Sequence, residues 1–456
     1  MSLTPEKDEI AAADTAAAGP DREVDGLLRW LAPPLPWAVV TFWCVAAAGW
    51  QNRLLLVADS TYYRALALGH YRDVPGSVAG RILHPLTVRL LSAVLGADID
   101  TAFLLAAIVS LAALCGLMAW ILKQVTGFGA LVLPLLFTPL VVHYMFGLYY
   151  CQDLFYAALL GCFFAAMLKE RKWLALLLLL PLYLARESTV LLAVAWGAVA
   201  WLDSDWTVLA ACGIFTVGGL GVSRIFASLG RPNIHHTNEF TFLFLKPPFD
   251  ALRTLFGVIL IPPEMKGHPG FTCTPFATFA LPKLLRYGTT TQFGVCRPDW
   301  HAPVHTYTLL FAIFGIGPAA LLAVLRRNLW RGFQSCSPSW LRVAVIYGLM
   351  ALCVAPAVSF WLERDFGYAW PAFWIALPAL LRADAWPTAP LVCTLLAENL
   401  AACWLPYWLS TAGGGPFELA ALGIAFIMQV VAYSTLKRHQ ARWIPAAGRR
   451  AAEVIG

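Results

Sequence analysis

Charge is scarce in this chain. Only 13% of its 456 residues are Asp, Glu, Lys or Arg, while 60% are hydrophobic. A water-soluble domain carries about 25% charged residues, so an ordinary soluble domain is excluded. The net charge of +6 is modest, and no nucleic-acid partner is expected. An apolar core near the start is also missing. Nothing before Leu27 could serve as a signal peptide, and residues 1–30 read as a disordered cytoplasmic tail. The eleven cysteines are scattered, mostly inside apolar runs, and none forms a metal-spaced cluster. There is no tandem repeat and no two-fold symmetry between halves. Short alternating strands are lacking, which excludes a membrane β-barrel.

What the chain does have is a series of long apolar runs. Many approach the roughly 20 residues that a helix needs to cross a bilayer. They lie at about 35–56, 101–122, 128–147, 153–168, 206–222, 304–325, 340–360, 367–381, 387–408 and 416–436, with two shorter ones at 173–184 and 189–202. The fold class is therefore an all-α polytopic membrane protein of about twelve transmembrane helices. Its divisions are a transmembrane module at 31–223, a mixed outer segment at 224–303, further spans at 304–436 and a basic cytoplasmic tail at 437–456. The first polar segment, 57–100, is amphipathic between Thr61 and Leu95. Residues 240–262 are apolar but interrupted by Lys246, two prolines, Asp250 and Arg253, and read as interfacial or re-entrant.

Both termini are placed in the cytoplasm of what reads as a bacterial inner membrane. With that orientation, the basic loops KERK, RRNLWR and KRHQAR all fall inside, as the positive-inside rule expects. The outer side then collects the acids that lie beside apolar runs. It also receives Arg64, Arg72, Arg81 and Arg89, and arginines on that side suggest an anionic ligand there.

Several places carry candidate chemistry. Asp59, before Ser60, is either a helix cap or a general base aimed at a substrate hydroxyl. Tyr62 and Tyr63 form either a wall for a sugar ring or an interfacial belt. Arg81 either snorkels to headgroups or clamps a phosphate, with His84 as a second donor or an acid. Asp153 is either a cap or a second acid facing Asp59. Arg186 and Glu187, flanked by apolar runs on both sides, form either a self-compensating pair or a functional site. Glu363, Arg364 and Asp365 repeat that pattern nearer the surface. Four histidines with an acid at each of two places, 231–239 and 297–305, offer metal-ligand types, but the spacing matches no motif and no metal is assigned. Cys273 and Cys296 share the mid-chain outer segment, where a disulfide is expected if that side is extracytoplasmic.

The residues Asp59-Ser60-Thr61-Tyr62-Tyr63, with Arg-Ile-Leu-His-Pro at 81–85 and Leu184-Ala185-Arg186-Glu187-Ser188, resemble the GT-C class of integral-membrane glycosyltransferases. The resemblance covers about the first half of the chain. It implies a GT-C-like fold and transfer of a sugar from a polyprenyl-phosphate donor to a glycan, lipid or protein acceptor at the outer face. Asp59 then takes the place of the base, and Arg81, Arg186 or Arg364 binds the donor phosphate. The sequence departs from some members in having no paired acids after the first span, which weakens a metal-dependent version, and no evident soluble C-terminal domain. No cofactor beyond the lipid-linked donor substrate is expected. Two other readings stay open: a secondary transporter of about twelve spans, and an acyl- or phospho-transferase acting on a membrane lipid.

Overall fold

The computed structural model describes residues 58–126, 145–231, 239–261, 276–280, 292–296, 298–325, 338–358, 362–381, 389–411 and 415–442, with Ala38 and Thr41 ahead of them. The expected span at 35–56 and most of that at 128–147 lie outside these residues, as do the N-terminal tail and residues 443–456 of the C-terminal one.

The first polar segment folds as a set of short helices: α1 (Ala58–Leu68), a 3-10 turn at Tyr71–Asp73, α2 (Gly76–Ala79) and α3 (Leu83–Leu95). Gly96, in the left-handed region at φ 64°, ends α3. Asp98 then starts α4 (Ile99–Thr126) by accepting hydrogen bonds from Thr101 N at 2.9 Å and Thr101 Oγ1 at 2.6 Å. Next come α5 (Asp153–Leu168), α6 (Lys172–Ala185), α7 (Thr189–Leu202) and α8 (Trp206–Leu229). The α5–α6 and α7–α8 turns are tight, each with one residue at positive φ, Glu170 and Ser204. Asp205 caps α8 by accepting from Val208 N.

In the mid-chain segment, α9 (Glu239–Phe256) is followed by a small antiparallel sheet, β1 (Leu260–Ile261), β2 (Ala277–Ala280) and β3 (Gln292–Val295), in the order β1-β3-β2. An all-helical reading did not foresee this sheet. Cys296, just after β3, is disulfide-bonded. Its expected partner Cys273 lies outside the described residues. The chain then continues through α10 (His301–Phe314), α11 (Gly317–Leu325), α12 (Ser339–Val358), α13 (Leu362–Leu381), α14 (Ala389–Thr411) and α15 (Gly415–Arg442).

Two expectations need correction here. The run at 304–325 is not one span but two helices, broken at Gly315 (φ 52°). Both Gly-Ile-Gly and Pro318 sit at the break, and the freed backbone groups find side chains instead. Ile316 N donates to Asn399 Oδ1 at 3.1 Å, Ala319 N to Gln429 Oε1 at 3.0 Å, and Gln429 Nε2 to Gly315 O at 2.7 Å. Helix α13 begins at Leu362, ahead of the expected run at 367–381, so Glu363, Arg364 and Asp365 form its first turn.

Among the described residues, four helices are long and apolar enough to cross a membrane: α4, α8, α12 and α15. Helices α3, α5, α6 and α7 are apolar but shorter. The pair α12–α13 runs through the middle. Helix α12 packs on α5, α7 and α9, and α13 packs on α4, α5, α10 and α11. A single large apolar core joins the two halves, with Trp370, Tyr156, Tyr183, Tyr347, Phe163 and Phe164 fully buried in it. A second core, built on Tyr63, Leu66, Val74, Ile82 and Phe103, fixes the first polar segment to the top of α4.

Candidate functional site

The site grows from the junction of α6 and α7. Pro181 interrupts the α6 ladder one turn before its end. At Arg186 the chain leaves the helix in an extended conformation, φ −162° and ψ 135°. Thr189 restarts the helix, and its hydroxyl donates back to Arg186 O at 2.7 Å. That corner turns the Arg186 guanidinium inward and leaves Glu187 facing out.

Arg186 Nη1 donates to Asp153 Oδ1 at 3.1 Å, and Nη2 donates to Asp365 Oδ1 at 3.0 Å. The Tyr368 hydroxyl donates to the same Asp153 oxygen. The guanidinium lies over the Tyr368 ring, 4.0 Å from its centroid. Tyr156 meets Tyr368 edge-on at 5.5 Å and joins Thr189 and Tyr347 through its hydroxyl. Asp153 is fully buried and Arg186 nearly so. Helix α5, 16 residues long, rises about 24 Å, short of a hydrocarbon core of about 30 Å. The cluster sits at the start of this shorter helix, whereas α4 and α8 are long enough to cross a bilayer.

One residue along, Glu187 pairs with Arg81 from the first polar segment. Arg81 Nε lies 2.8 Å from Glu187 Oε2, and its Nη2 contacts Oε1. Arg81 Nη1 also donates to Tyr63 OH at 3.3 Å. Partial desolvation acts to raise the Glu187 carboxyl, but the Arg81 guanidinium outweighs it and holds the group below the ordinary carboxylate range. The Glu187 side chain is half exposed and that of Arg81 is 15% exposed. Two guanidinium groups, Arg81 and Arg186, thus come to one corner from opposite sides, each against carboxyl groups.

The structure thus brings together Arg81, Asp153 and the Arg186-Glu187 pair, which the sequence singled out at three separate places. Tyr63 is fully buried and hydrogen-bonded to Arg81, so it does not line a substrate surface. Tyr62 is partly exposed and its hydroxyl accepts from Arg231 Nη2 at 3.3 Å. Asp153 is enclosed by Arg186 and Tyr368 and holds the guanidinium in place. Asp59 lies in the first turn of α1, partly exposed, and the next residue, Ser60, contacts Cys151 Sγ at 3.9 Å. The backbone of Arg364 is in α13, and its side chain is outside the described residues.

His84 is buried between Phe103 and Phe155, with ring centroids 5.4 and 5.3 Å away. Burial pushes it down to about 4, although the nearby Asp153 works the other way. It is neutral at neutral pH and presents no cation to a phosphate. Among the described residues, no group of three or more His, Cys, Asp or Glu is placed to hold a metal ion.

Sequence reading missed Asp365, Tyr368, Tyr156 and Thr189 as members of the cluster. The signal available for Asp365 was its place in Glu-Arg-Asp beside an apolar run. The tyrosines carried none, because an aromatic in an apolar helix looks the same whether it packs or hydrogen-bonds. In comparisons with known proteins, no family model, no curated protein and no solved structure matches this chain.

Proposed function

We propose that this protein is an integral-membrane glycosyltransferase that moves a sugar from a polyprenyl-phosphate donor to an acceptor at the outer face, within a GT-C-like bundle of about twelve spans. The observation that carries the reading is the convergence of Arg81 and Arg186 at the α6–α7 corner, beneath the first polar segment. A leaving phosphate gains negative charge as the glycosidic bond breaks, and guanidinium forks match its oxygens. Arg186 is already held by two carboxyl groups, so it fixes the corner. Arg81, whose partner Glu187 is half exposed, is the cation that a phosphate reaches by displacing that carboxylate.

Asp59 keeps the role of general base in this reading. It is partly exposed in the first turn of α1, on the segment that supplies Arg81. The reaction is then one inverting displacement: the acceptor hydroxyl loses its proton to Asp59 and attacks the anomeric carbon while the phosphate leaves toward Arg81. A positioned base supplies about 10²–10⁴-fold.

The test is Asp59→Asn, purified in lipid and offered a panel of polyprenyl-phosphate sugars, with thermal unfolding followed in parallel. A folded variant that binds donor but does not turn over supports the assignment. A fully active variant removes Asp59 from the mechanism, and a wild type inert toward the whole panel removes the glycosyltransferase reading.

A second reading, secondary transport, draws on one observation. Helix α10–α11 is broken at Gly315, with Asn399 and Gln429 satisfying the break, and Glu398 is buried beside Asn399. Discontinuous helices of this kind hold substrates in transporters. The favoured reading places the chemistry at the other polar locus, where the arginines are.

A further inference from the structure

The first polar segment between residues 58 and 100 carries four arginines and no lysine. Two have carboxylate partners. Arg64 makes a two-pronged contact with Asp100, at 2.7 and 3.2 Å, and Arg81 pairs with Glu187. The other two, Arg72 and Arg89, are exposed and have no ion-pair partner among the described residues. A cavity of about 430 Å³ is lined by Gly69, His70, Tyr71, Arg72, Asp73 and Leu229. Arg89 lies beside one of these lining residues: a methyl group built on Gly69 would lie 3.4 Å from Arg89 Nη1. None of these residues belongs to the Arg186 cluster.

The position of the cavity says what kind of ligand it meets. Leu229 is the last residue of α8, whose 24 residues rise about 36 Å, enough to cross a bilayer. The cavity therefore sits at the end of a helix long and apolar enough to cross a bilayer, where such a helix would meet the headgroups. Backbone hydrogen bonds fasten it there: Arg231 N donates to Val74 O at 2.9 Å and Gly76 N to Arg231 O at 3.0 Å. Its flanks are apolar and open. Ile225 and Leu229 are exposed on α8, and Leu86, one turn before Arg89 on the same face of α3, is exposed as well. Two cations above an apolar groove, at a membrane boundary, match a molecule with an anionic head and an apolar tail. Asp73 opposes an anion and leaves the charge at the cavity at two cations against one acid.

We infer that this cavity is a headgroup site for an anionic membrane lipid, with Arg72 and Arg89 on the lipid phosphate and the acyl chains along α3 and α8. The site stands independently of the glycosyltransferase reading, because it needs no turnover and shares no residue with the proposed catalytic corner.

The test is native mass spectrometry of the detergent-solubilised full chain titrated with phosphatidylglycerol or phosphatidylcholine. The wild type should retain phosphatidylglycerol in preference. Arg72→Gln with Arg89→Gln should weaken phosphatidylglycerol at least about tenfold, as two surface cations imply, and leave phosphatidylcholine unchanged. Asp73→Asn should tighten phosphatidylglycerol instead. All three substitutions are at exposed side chains, and a melting curve checks that each variant folds. Equal retention of the two lipids by the wild type, or an undiminished preference in the double variant, overturns the site. So does displacement of the lipid by millimolar inorganic phosphate, which would mark a soluble-anion site.

Discussion

Arg186 Nη1 donates to Asp153 Oδ1 across 3.1 Å in a place that leaves Asp153 no exposure to solvent. The same guanidinium reaches Asp365, so one cation serves two carboxyl groups. Removing the cation strands both acids in a low-dielectric interior, whereas removing one acid leaves a pair. Arg186→Met should therefore cost about 3–5 kcal/mol, and Asp365→Asn, at a side chain 17% exposed, clearly less. Denaturant unfolding in micelles checks the order. An Arg186→Met variant as stable as wild type would mean that the cluster does not hold α5, α6 and α13 together.

How much of this was legible beforehand depends on where charge interrupts hydrophobicity. Asp153, Arg186 and Glu187 stood out because a charged group at a helix end amid apolar runs demands a partner. That Asp153 is Arg186's partner was not legible, since the two lie 33 residues apart and Asp365 a further 179 from Arg186. The helix at 153–168 and the two short ones, read at 173–184 and 189–202, followed from run lengths. The run at 304–325 misled for the opposite reason. Its hydrophobicity is continuous, and only Gly315, Gly317 and Pro318 marked a break whose polar partners, Asn399 and Gln429, sit far along the chain. Tyr63 misled as well, because its sequence context does not distinguish an aromatic wall from a buried hydrogen-bonding one.

His84 should make stability depend on pH. It is held at about 4 in the folded protein, chiefly by burial, against an ordinary value of 6.5. A folded-state value below the unfolded one gives stability that is present above about pH 6.5 and is lost as pH falls toward 4. At about 1.4 kcal/mol per unit this amounts to about 3 kcal/mol. Thermal midpoints measured at pH 7 and pH 5 should fall more for the wild type than for His84→Leu. Equal falls in the two proteins would contradict a buried neutral imidazole.

Glycines along α8 should split into two classes. A methyl on Gly230, just past the helix, would sit 2.8 Å from Val74 O and 3.0 Å from Gly76 Cα, so Gly230→Ala must push the first polar segment off the helix end. The expected cost is about 1–3 kcal/mol, together with faster proteolysis between residues 69 and 80. Gly213, inside α8, has nothing within 4 Å of the added methyl. Gly213→Ala should be neutral or stabilise by up to about 1 kcal/mol. If both variants behaved alike, the close approach of residues 74–76 to the end of α8 would be wrong.

Gln429 carries the last prediction, because its amide serves both sides of the break at Gly315. Its oxygen accepts from Ala319 N at 3.0 Å and its nitrogen donates to Gly315 O at 2.7 Å. Gln429→Met keeps the volume and orphans a backbone donor and a backbone acceptor in the bundle interior, each worth about 1–3 kcal/mol. Gln429→Glu would be an unpaired buried charge as a carboxylate, so it takes the neutral acid form, which keeps an acceptor for Ala319 N and an O–H donor for Gly315 O and restores part of that loss. Unfolding free energies in micelles should therefore rank wild type above Gln429→Glu, and Gln429→Glu above Gln429→Met. A Met variant that matches wild type would show that the chain satisfies the break in some other way. In that case Gln429 would no longer distinguish a stapled helix from a continuous one.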